Sequence, residues 1–393
     1  MSKYTFLSSL LILSFIIACN DDENDSSFEE TKASAVSHYA DLVYANYLDT
    51  YNDALALQTK IETFLATPSA SSLAEAKEAW LNARESYGQT EAFRFYGGPI
   101  DDEDGPEGQL NAWPLDESYI DYVITDKNGE DPIDGTNIIN SPNDFPSISA
   151  EVIASLNEAG GETNISSGYH AIEFLLWGQD LSSGPGGGER PFTDYVSGSN
   201  GTHENQDRRG IYLSEVTKLL ISDLESLLEE WETSGEYRSE FTSTVDVSLE
   251  NIVSALGKLS KGELAGERMY VAYDLRSKED EHSCFSDNTH RDIVTNALGI
   301  QNVYLGKYGS EISGTGIYDV INLKDAALAD EIKTLLESAV TKCEAIQAPF
   351  DQEFLNEEGR TRILSAINTL REIGDKMAEA GSILGFTFDP DDI

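Results

Sequence analysis

Residues 168–177 read G-Y-H-A-I-E-F-L-L-W, and the fold is decided by how this stretch is read. Taken as a helix, it is apolar almost all the way round. Ala171, Ile172, Phe174, Leu175, Leu176 and Trp177 leave no face for water, which is the pattern of a buried helix. It nevertheless carries His170 and Glu173, three residues apart and therefore on one face. A buried imidazole and a buried carboxylate are costly unless they are paired, hydrogen-bonded or bound to a metal. Either the two satisfy each other or they are there for chemistry.

Outward from this stretch the periodicity is helical. Val36, Tyr39, Val43, Tyr47, Tyr51, Ala54, Leu57, Ile61 and Leu65 recur every three or four residues and predict a long helix over 31–67. Pro68-Ser69 breaks it, and Ser71 or Ser72 caps a second helix running to about Phe95. The stretch 97–143 has loop composition. Trp113, Tyr119, Tyr122, Ile138 and Ile139 mark it as packed, with one short helix near 117–123. A short helix is predicted at 149–157, and longer ones at 205–233, 240–276, 287–306, 323–347 and 358–380. The run S-S-G-P-G-G-G at 182–188 lacks the Lys-Ser/Thr of a phosphate loop and reads as a flexible connection. Strand patterns are too short to build a sheet, so the fold class is all-α, arranged as two helical-bundle domains. The expected division is 31–232 and 233–385.

The chain has 393 residues, 40% of them hydrophobic, and a net charge of −45. That acidity argues against nucleic acid and anionic membrane surfaces as partners and is compatible with attracting cations. Lys3 and the apolar run Phe6 to Ala18 make an export signal too short to span a bilayer. It ends in Ile16-Ile17-Ala18-Cys19, which resembles a bacterial lipobox, so residues 1–18 are expected to be removed and Cys19 lipidated. The acidic residues that follow, 19–30, read as a flexible tether. The chain is thus expected to be exported and held by a lipid anchor in the outer membrane, periplasmic or surface-exposed. Cys284 and Cys343 are the other two cysteines; a disulfide and two buried free thiols both remain open.

Imidazole and carboxylate are ordinary ligands of zinc, iron and related ions, and the i, i+3 spacing of His170 and Glu173 aims both into one space. A second cluster, E-D-E-H-S-C-F-S-D-N-T-H-R-D at 279–292, holds two more such spacings, Glu279/His282 and Asp287/His290. Its alternative reading is an acidic loop leading into a helix capped by Asp287. Arg84, Glu91 and Arg94 lie on the helix with Trp80 and Tyr87 and read as a salt-bridged polar face. His38 and His203 have no evident partners. There is no His-Glu-x-x-His protease helix and no Gly-x-Ser-x-Gly elbow.

G-Y-H-A-I-E-F-L-L-W-G-Q-D resembles the Gly-x-His-x-x-Glu signature of the imelysin family. The segments around Arg84 to Asp101, Asn111 to Glu117 and Glu281 to Asp292 resemble further family blocks, in the right order, over roughly 32–385. The resemblance implies two helical-bundle domains with a site between them, and makes Gly168, His170 and Glu173 the family motif. Known members are iron-regulated envelope proteins, imelysin-type domains of periplasmic iron-uptake proteins and an insulin-cleaving metallopeptidase. The leading expectation is therefore a cell-envelope lipoprotein that binds iron, zinc or another divalent metal through His170 and Glu173 for iron uptake. Glu91, Asp116, Glu279, His282 and His290 are the candidate further site residues, and envelope iron-transport proteins the expected partners. The alternatives are a metallopeptidase, and a metal-independent protein that binds a peptide or small ligand.

Overall fold

The computed structural model describes residues 21–125 and 137–388, with side chains from Ser26 onward. The signal segment 1–18 and Cys19 lie outside the described residues. Fifteen α-helices are described. The first half of the chain holds α1 (Asp21–Ala66), α2 (Ala70–Thr90), α3 (Glu107–Leu110), α4 (Glu117–Ile120), α5 (Ala150–Leu156), α6 (Gly168–Trp177) and α7 (Gln206–Trp231). The second holds α8 (Glu236–Ser243), α9 (Val245–Gly257), α10 (Val271–Leu275), α11 (Thr289–Leu305), α12 (Ile317–Lys324), α13 (Ala326–Glu344), α14 (Phe350–Leu355) and α15 (Glu357–Leu384). Among the described residues the strands amount to a two-residue ladder, Lys307–Tyr308 against Ile312–Ser313, so the chain is all-α. None of the described helices is long and apolar enough to cross a membrane.

Helix α1 packs along α2 and α7, and α6 lies against α7 and α2. Helices α9, α13 and α15 pack together with a π-helical segment, Lys258–Tyr270, and α11 bridges the halves by packing on α2 as well as α13. The buried apolar side chains form one continuous cluster. Trp80 and Trp231 are its largest fully buried members.

Several local expectations change. Residues 21–30, read as a tether, continue helix α1. Phe28 explains part of this. It is 9% exposed and faces the ammonium of Lys324, 3.8 Å from the ring centroid. The cap of α2 is Ser69, whose hydroxyl takes the Ser72 N–H while the Ser72 hydroxyl takes the Ser69 N–H. The glycine run at 182–188 is pinned. Gly186 N–H donates to Asp287 Oδ2 (2.8 Å) and Gly188 N–H to the Phe285 carbonyl (2.7 Å). Asp287 is therefore spent on this loop, and Asn288 occupies the position ahead of α11. Cys284 and Cys343 are both free and buried.

Candidate functional site

Helix α6 is buried along its whole length, as its composition requires. Gly168 opens it at φ +82°, where a Cβ would stand 2.5 Å from the Leu110 carbonyl oxygen and 2.6 Å from that of Gln109. The motif glycine thus serves a close approach: it lets the start of α6 press against the end of α3. Asn111, the next residue after α3, reaches His282 at 3.3 Å, and the His282 ring packs on that of His170.

On that face His170 Nδ1 lies 2.9 Å from Glu173 Oε2. The other carboxylate oxygen, Oε1, accepts from the backbone N–H (2.8 Å) and the hydroxyl (2.7 Å) of Ser286. Both oxygens of Glu173 are therefore engaged, and its role here is to orient the imidazole. Burial pushes the Glu173 carboxyl up to about 8, against the opposing pull of Ser286. Burial also pushes His170 well below the ordinary imidazole value, helped by His282 and Arg84. His170 Nε2 is buried and has no hydrogen-bond partner. The rings of His282 and Trp113 pack against the His170 ring, edge-on and tilted, at centroid distances of 4.8 and 5.1 Å.

His282 comes from the loop before α11 and is held by Asn111, whose amide can be oriented without ambiguity. Asn111 Oδ1 accepts from Arg84 Nη1 (2.7 Å), so Nδ2 is the atom that reaches Glu91 Oε1 (3.1 Å) and His282 Nε2 (3.3 Å). His282 Nε2 is then the acceptor, and the ring proton sits on Nδ1. Nδ1 lies 3.3 Å from Asp292 Oδ2, too poorly directed to count as a hydrogen bond. Asp292 is matched by Arg84 from Nε (3.2 Å) and Nη2 (3.1 Å) and by the Ser283 hydroxyl. Burial alone would raise its carboxyl, but Arg84 and His282 hold it far below the usual range. Glu91 Oε2 takes Arg94 and Arg268, both at 2.7 Å. Those two guanidinium groups overcome the effect of burial and hold the Glu91 carboxyl down to about 2.

The structure thus joins Glu91 and His282 through Asn111 and sets the His282 ring against that of His170, which Glu173 holds, with Gly168 at the start of the same helix. The other candidates lie elsewhere. Asp116 is exposed and caps α4 through Ser118 N–H (3.0 Å). Glu279 sits exposed in a single turn at Lys278–Asp280. His290 Nδ1 faces the Asp287 carbonyl at 3.2 Å. His203 is not without a partner: its Nδ1 meets buried Asp194 at 2.9 Å and its ring stacks on Tyr122 at 3.8 Å. His38 Nε2 meets the Gly306 carbonyl at 2.9 Å. Sequence reading passed over Asn111, Asp292, Arg268 and Ser286. A signal was present for the pair at Arg84, a charge set between Trp80, Leu81 and Tyr87 where an opposite charge is required, whereas the helix neighbours of Asp292 (Asn288, Thr289, Thr295 and Asn296) are polar and gave none.

A cavity of about 390 Å³ opens onto this centre, with Asn111, Trp113 and His282 in its wall. Its remaining charged lining is Glu107, Glu158, Glu263, Glu267 and Asp280 against Arg94 and Arg268. A larger cavity, about 540 Å³, lies by the glycine-rich loop and His203, away from the His170–Glu173 pair. Among the described residues no three His, Cys, Asp or Glu side chains converge to enclose a metal ion by themselves.

An all-helical frame around a buried, carboxylate-oriented histidine defines the class: helical proteins organised on a Gly-x-His-x-x-Glu turn. The family model described as imelysin (Peptidase_M75) matches residues 43–377, and the chain belongs to that family. It is similar to iron-regulated protein A of Synechococcus elongatus, at 21% identity over 348 residues, covering 86% of this chain and 82% of that protein. Among solved structures it is similar to a protein described as an iron-regulated protein A precursor, from Parabacteroides distasonis. That match has TM-score 0.69 at 18% identity, covering 90% of this chain and 95% of the other. An imelysin-like protein from Psychrobacter arcticum gives TM-score 0.63 at 13% identity, covering 91% and 96%. These two likenesses concern the fold.

Proposed function

We propose that this imelysin-family chain is a cell-envelope lipoprotein acting in iron acquisition, and that it carries iron, or another divalent metal, as cargo at His170. The observation that carries the reading is the buried, unpartnered Nε2 of His170, with Nδ1 held by Glu173 and Glu173 held by Ser286. In its ionised form, reached as pH rises past its raised value of about 8 or as a bound cation draws the proton off, Glu173 grips one imidazole nitrogen and leaves the other free, the arrangement that orients a histidine toward a metal. His282 is the second imidazole, available when the long Asn111 contact gives way. The five carboxylates in the wall of the adjoining cavity favour a cation over an anionic chelate. The iron-regulated relative supports iron as the ion.

This donor set fits an ion that arrives with ligands of its own better than a resident catalytic centre. Catalytic zinc is typically held by three protein ligands with a fourth position open, and a peptidase also needs a carboxylate free to act as base. Here the carboxylates of Glu173, Glu91 and Asp292 are all engaged.

The test is equilibrium binding of Fe(II), handled without oxygen, and of Zn(II) to the stripped protein, with metal content measured by mass spectrometry. Near-stoichiometric uptake is expected, lost in His170→Ala with the helical circular dichroism retained. No uptake by the wild type overturns the proposal, and metal-dependent cleavage of a denatured protein, lost in the same variant, replaces it with the peptidase reading.

A further inference from the structure

The larger cavity, about 540 Å³, is walled by residues that the His170 centre does not use. Tyr122 and Trp177 give it aromatic surface, and its ionisable lining is Asp180, Glu189, Arg190 and His203. Its volume falls within the range of small-molecule sites, about 300–1,000 Å³. The backbone at His203 is left-handed, φ +56°, a conformation disfavoured for a residue with a side chain. Its ring is held in two ways. It stacks on Tyr122 at a centroid distance of 3.8 Å with 16° between the planes, and Nδ1 meets Asp194 Oδ1 at 2.9 Å. Asp194 is fully buried and takes three further donors: the Thr202 hydroxyl (2.7 Å), the Tyr122 hydroxyl (2.5 Å) and Arg190 Nη1 (3.2 Å). An acid so surrounded acts as an acceptor, so the neutral His203 ring carries its proton on Nδ1 and presents the Nε2 lone pair. The side chain is 44% exposed, and among the described residues no hydrogen bond occupies Nε2.

The other charges of the lining are sorted by their partners. Arg190, with 1% of its side chain exposed, is matched by Asp121 (2.8 Å) as well as Asp194. Asp180 is matched by Lys278 (3.0 Å). Glu189 is exposed and enters no ion pair among the described residues. Lys77 lies on Trp177, 5.0 Å from its ring centroid, and is not part of the wall. What the cavity offers a ligand is therefore one imidazole lone pair, one carboxylate and aromatic surface. We propose that it is a second binding site, for a small organic amine carrying an aromatic ring. An ammonium group donates N–H to His203 Nε2, the carboxylate of Glu189 favours positive charge in the cavity, and the aromatic surface takes the ring. A carboxylate or phosphate ligand would meet a lone pair and a like charge instead. The chain's charge of −45 concentrates cations and works in the same direction.

The experiment is a calorimetric titration of the full chain, stripped of metal with a chelator so that the result does not depend on the iron proposal. The probes are tyramine and para-hydroxyphenylacetate, which share a phenol ring and differ in carrying an ammonium or a carboxylate. Tyramine is expected to bind, and para-hydroxyphenylacetate to bind more weakly by about tenfold or more. His203→Phe keeps a ring on Tyr122 and leaves Asp194 its other three donors. It is expected to fold and to lose about 10–100-fold in tyramine affinity, the value of a hydrogen bond to a charged group. Glu189→Gln is an exposed change that leaves the core alone, and should lose about 2–5-fold, as for an exposed charge. In the wild type the side-chain nitrogen signal of His203 should shift as tyramine is added. No tyramine binding by the wild type, equal binding of the two probes, or a folded variant of either kind that binds like the wild type overturns the assignment. An unmoved His203 signal at saturating tyramine overturns it even where the phenylalanine variant does not fold.

Discussion

Asn111 accepts a hydrogen bond from Arg84 at 2.7 Å, and that bond sets the protonation of a histidine that Arg84 does not touch. Because Oδ1 is taken by the guanidinium, the amide can offer only N–H groups to Glu91 and His282. Replacing Asn111 by Leu leaves the buried Glu91 Oε1 and one arm of Arg84 without their partner. A loss of about 2–4 kcal/mol in stability is expected, since hydrogen bonds to charged groups are worth about 1.5–3 kcal/mol each. Urea denaturation measures it. In wild type, nitrogen NMR of the histidine side chains should show His282 with its proton on Nδ1, and this preference should weaken in the variant.

Gly168→Ala tests the close approach of α6 to α3. The new methyl group meets the Leu110 carbonyl at 2.5 Å, and the backbone at φ +82° disfavours any side chain. Overpacking against rigid backbone typically costs about 1–3 kcal/mol, with left-handed strain of about 1 kcal/mol added. The same change at Gly198, where φ is +79° and open space surrounds the position, should cost only the strain. Parallel melts of the two variants give the comparison, and equal losses would mean that the contact with α3 is not what the glycine is for.

Glu91 gives the fold an acid-sensitive tie. Its carboxyl is held at about 2 in the folded protein, below the ordinary 4.5. A carboxylate depressed on folding contributes stability that is fully present above its unfolded value and is lost as pH falls toward the folded value. The window is therefore about pH 4.5 down to pH 2. The difference corresponds to about 3 kcal/mol, a figure that already contains the loss of the Glu91 partner by Arg268 and Arg94 when the acid is protonated. Glu91→Gln should be less stable than wild type at pH 7 and lose less stability than wild type on going to pH 3. A variant whose pH profile runs parallel to wild type would remove Glu91 from the acid response.

Most of the helical frame was legible in the sequence because long amphipathic periods are a strong local signal, as in α1, α7 and α15. The buried α6 was legible for the opposite reason, its lack of a polar face. The breaks were less so. Residues 240–276 read as one helix, but the chain divides them among α8, α9, a π-helical segment and α10. A π-turn is set by hydrogen bonds one residue longer than usual, which composition does not announce. At the site, the i, i+3 rule found His170 and Glu173 and then misled at Asp287 and His290. The hydrogen-bond partner of His282 is Asn111, 171 residues away in the chain, and the acid nearest its ring is Asp292, ten residues on, brought close by a loop and not by helical spacing. Arg84 and Asp292 are matched across 208 residues, a relation that only the folded chain contains.

Glu173→Gln distinguishes orientation from ligation. In the folded protein Ser286 presents two donors, N–H and hydroxyl, to the same oxygen, Oε1. A glutamine must turn its carbonyl oxygen toward them, which leaves its NH2 group facing His170 Nδ1. Nδ1 then has to accept, so the ring proton moves to Nε2 and occupies the lone pair that would bind a metal. The shape is unchanged and a buried carboxyl is replaced by a neutral amide, so the thermal midpoint should not fall. Compared above pH 8, where the wild-type Glu173 is ionised, metal affinity should drop by about 10–100-fold, the usual effect of losing an orienting carboxylate. Unchanged affinity in this variant, with the fold intact, would show that His170 Nε2 is not the binding atom, and the cargo site would have to be sought elsewhere in the molecule.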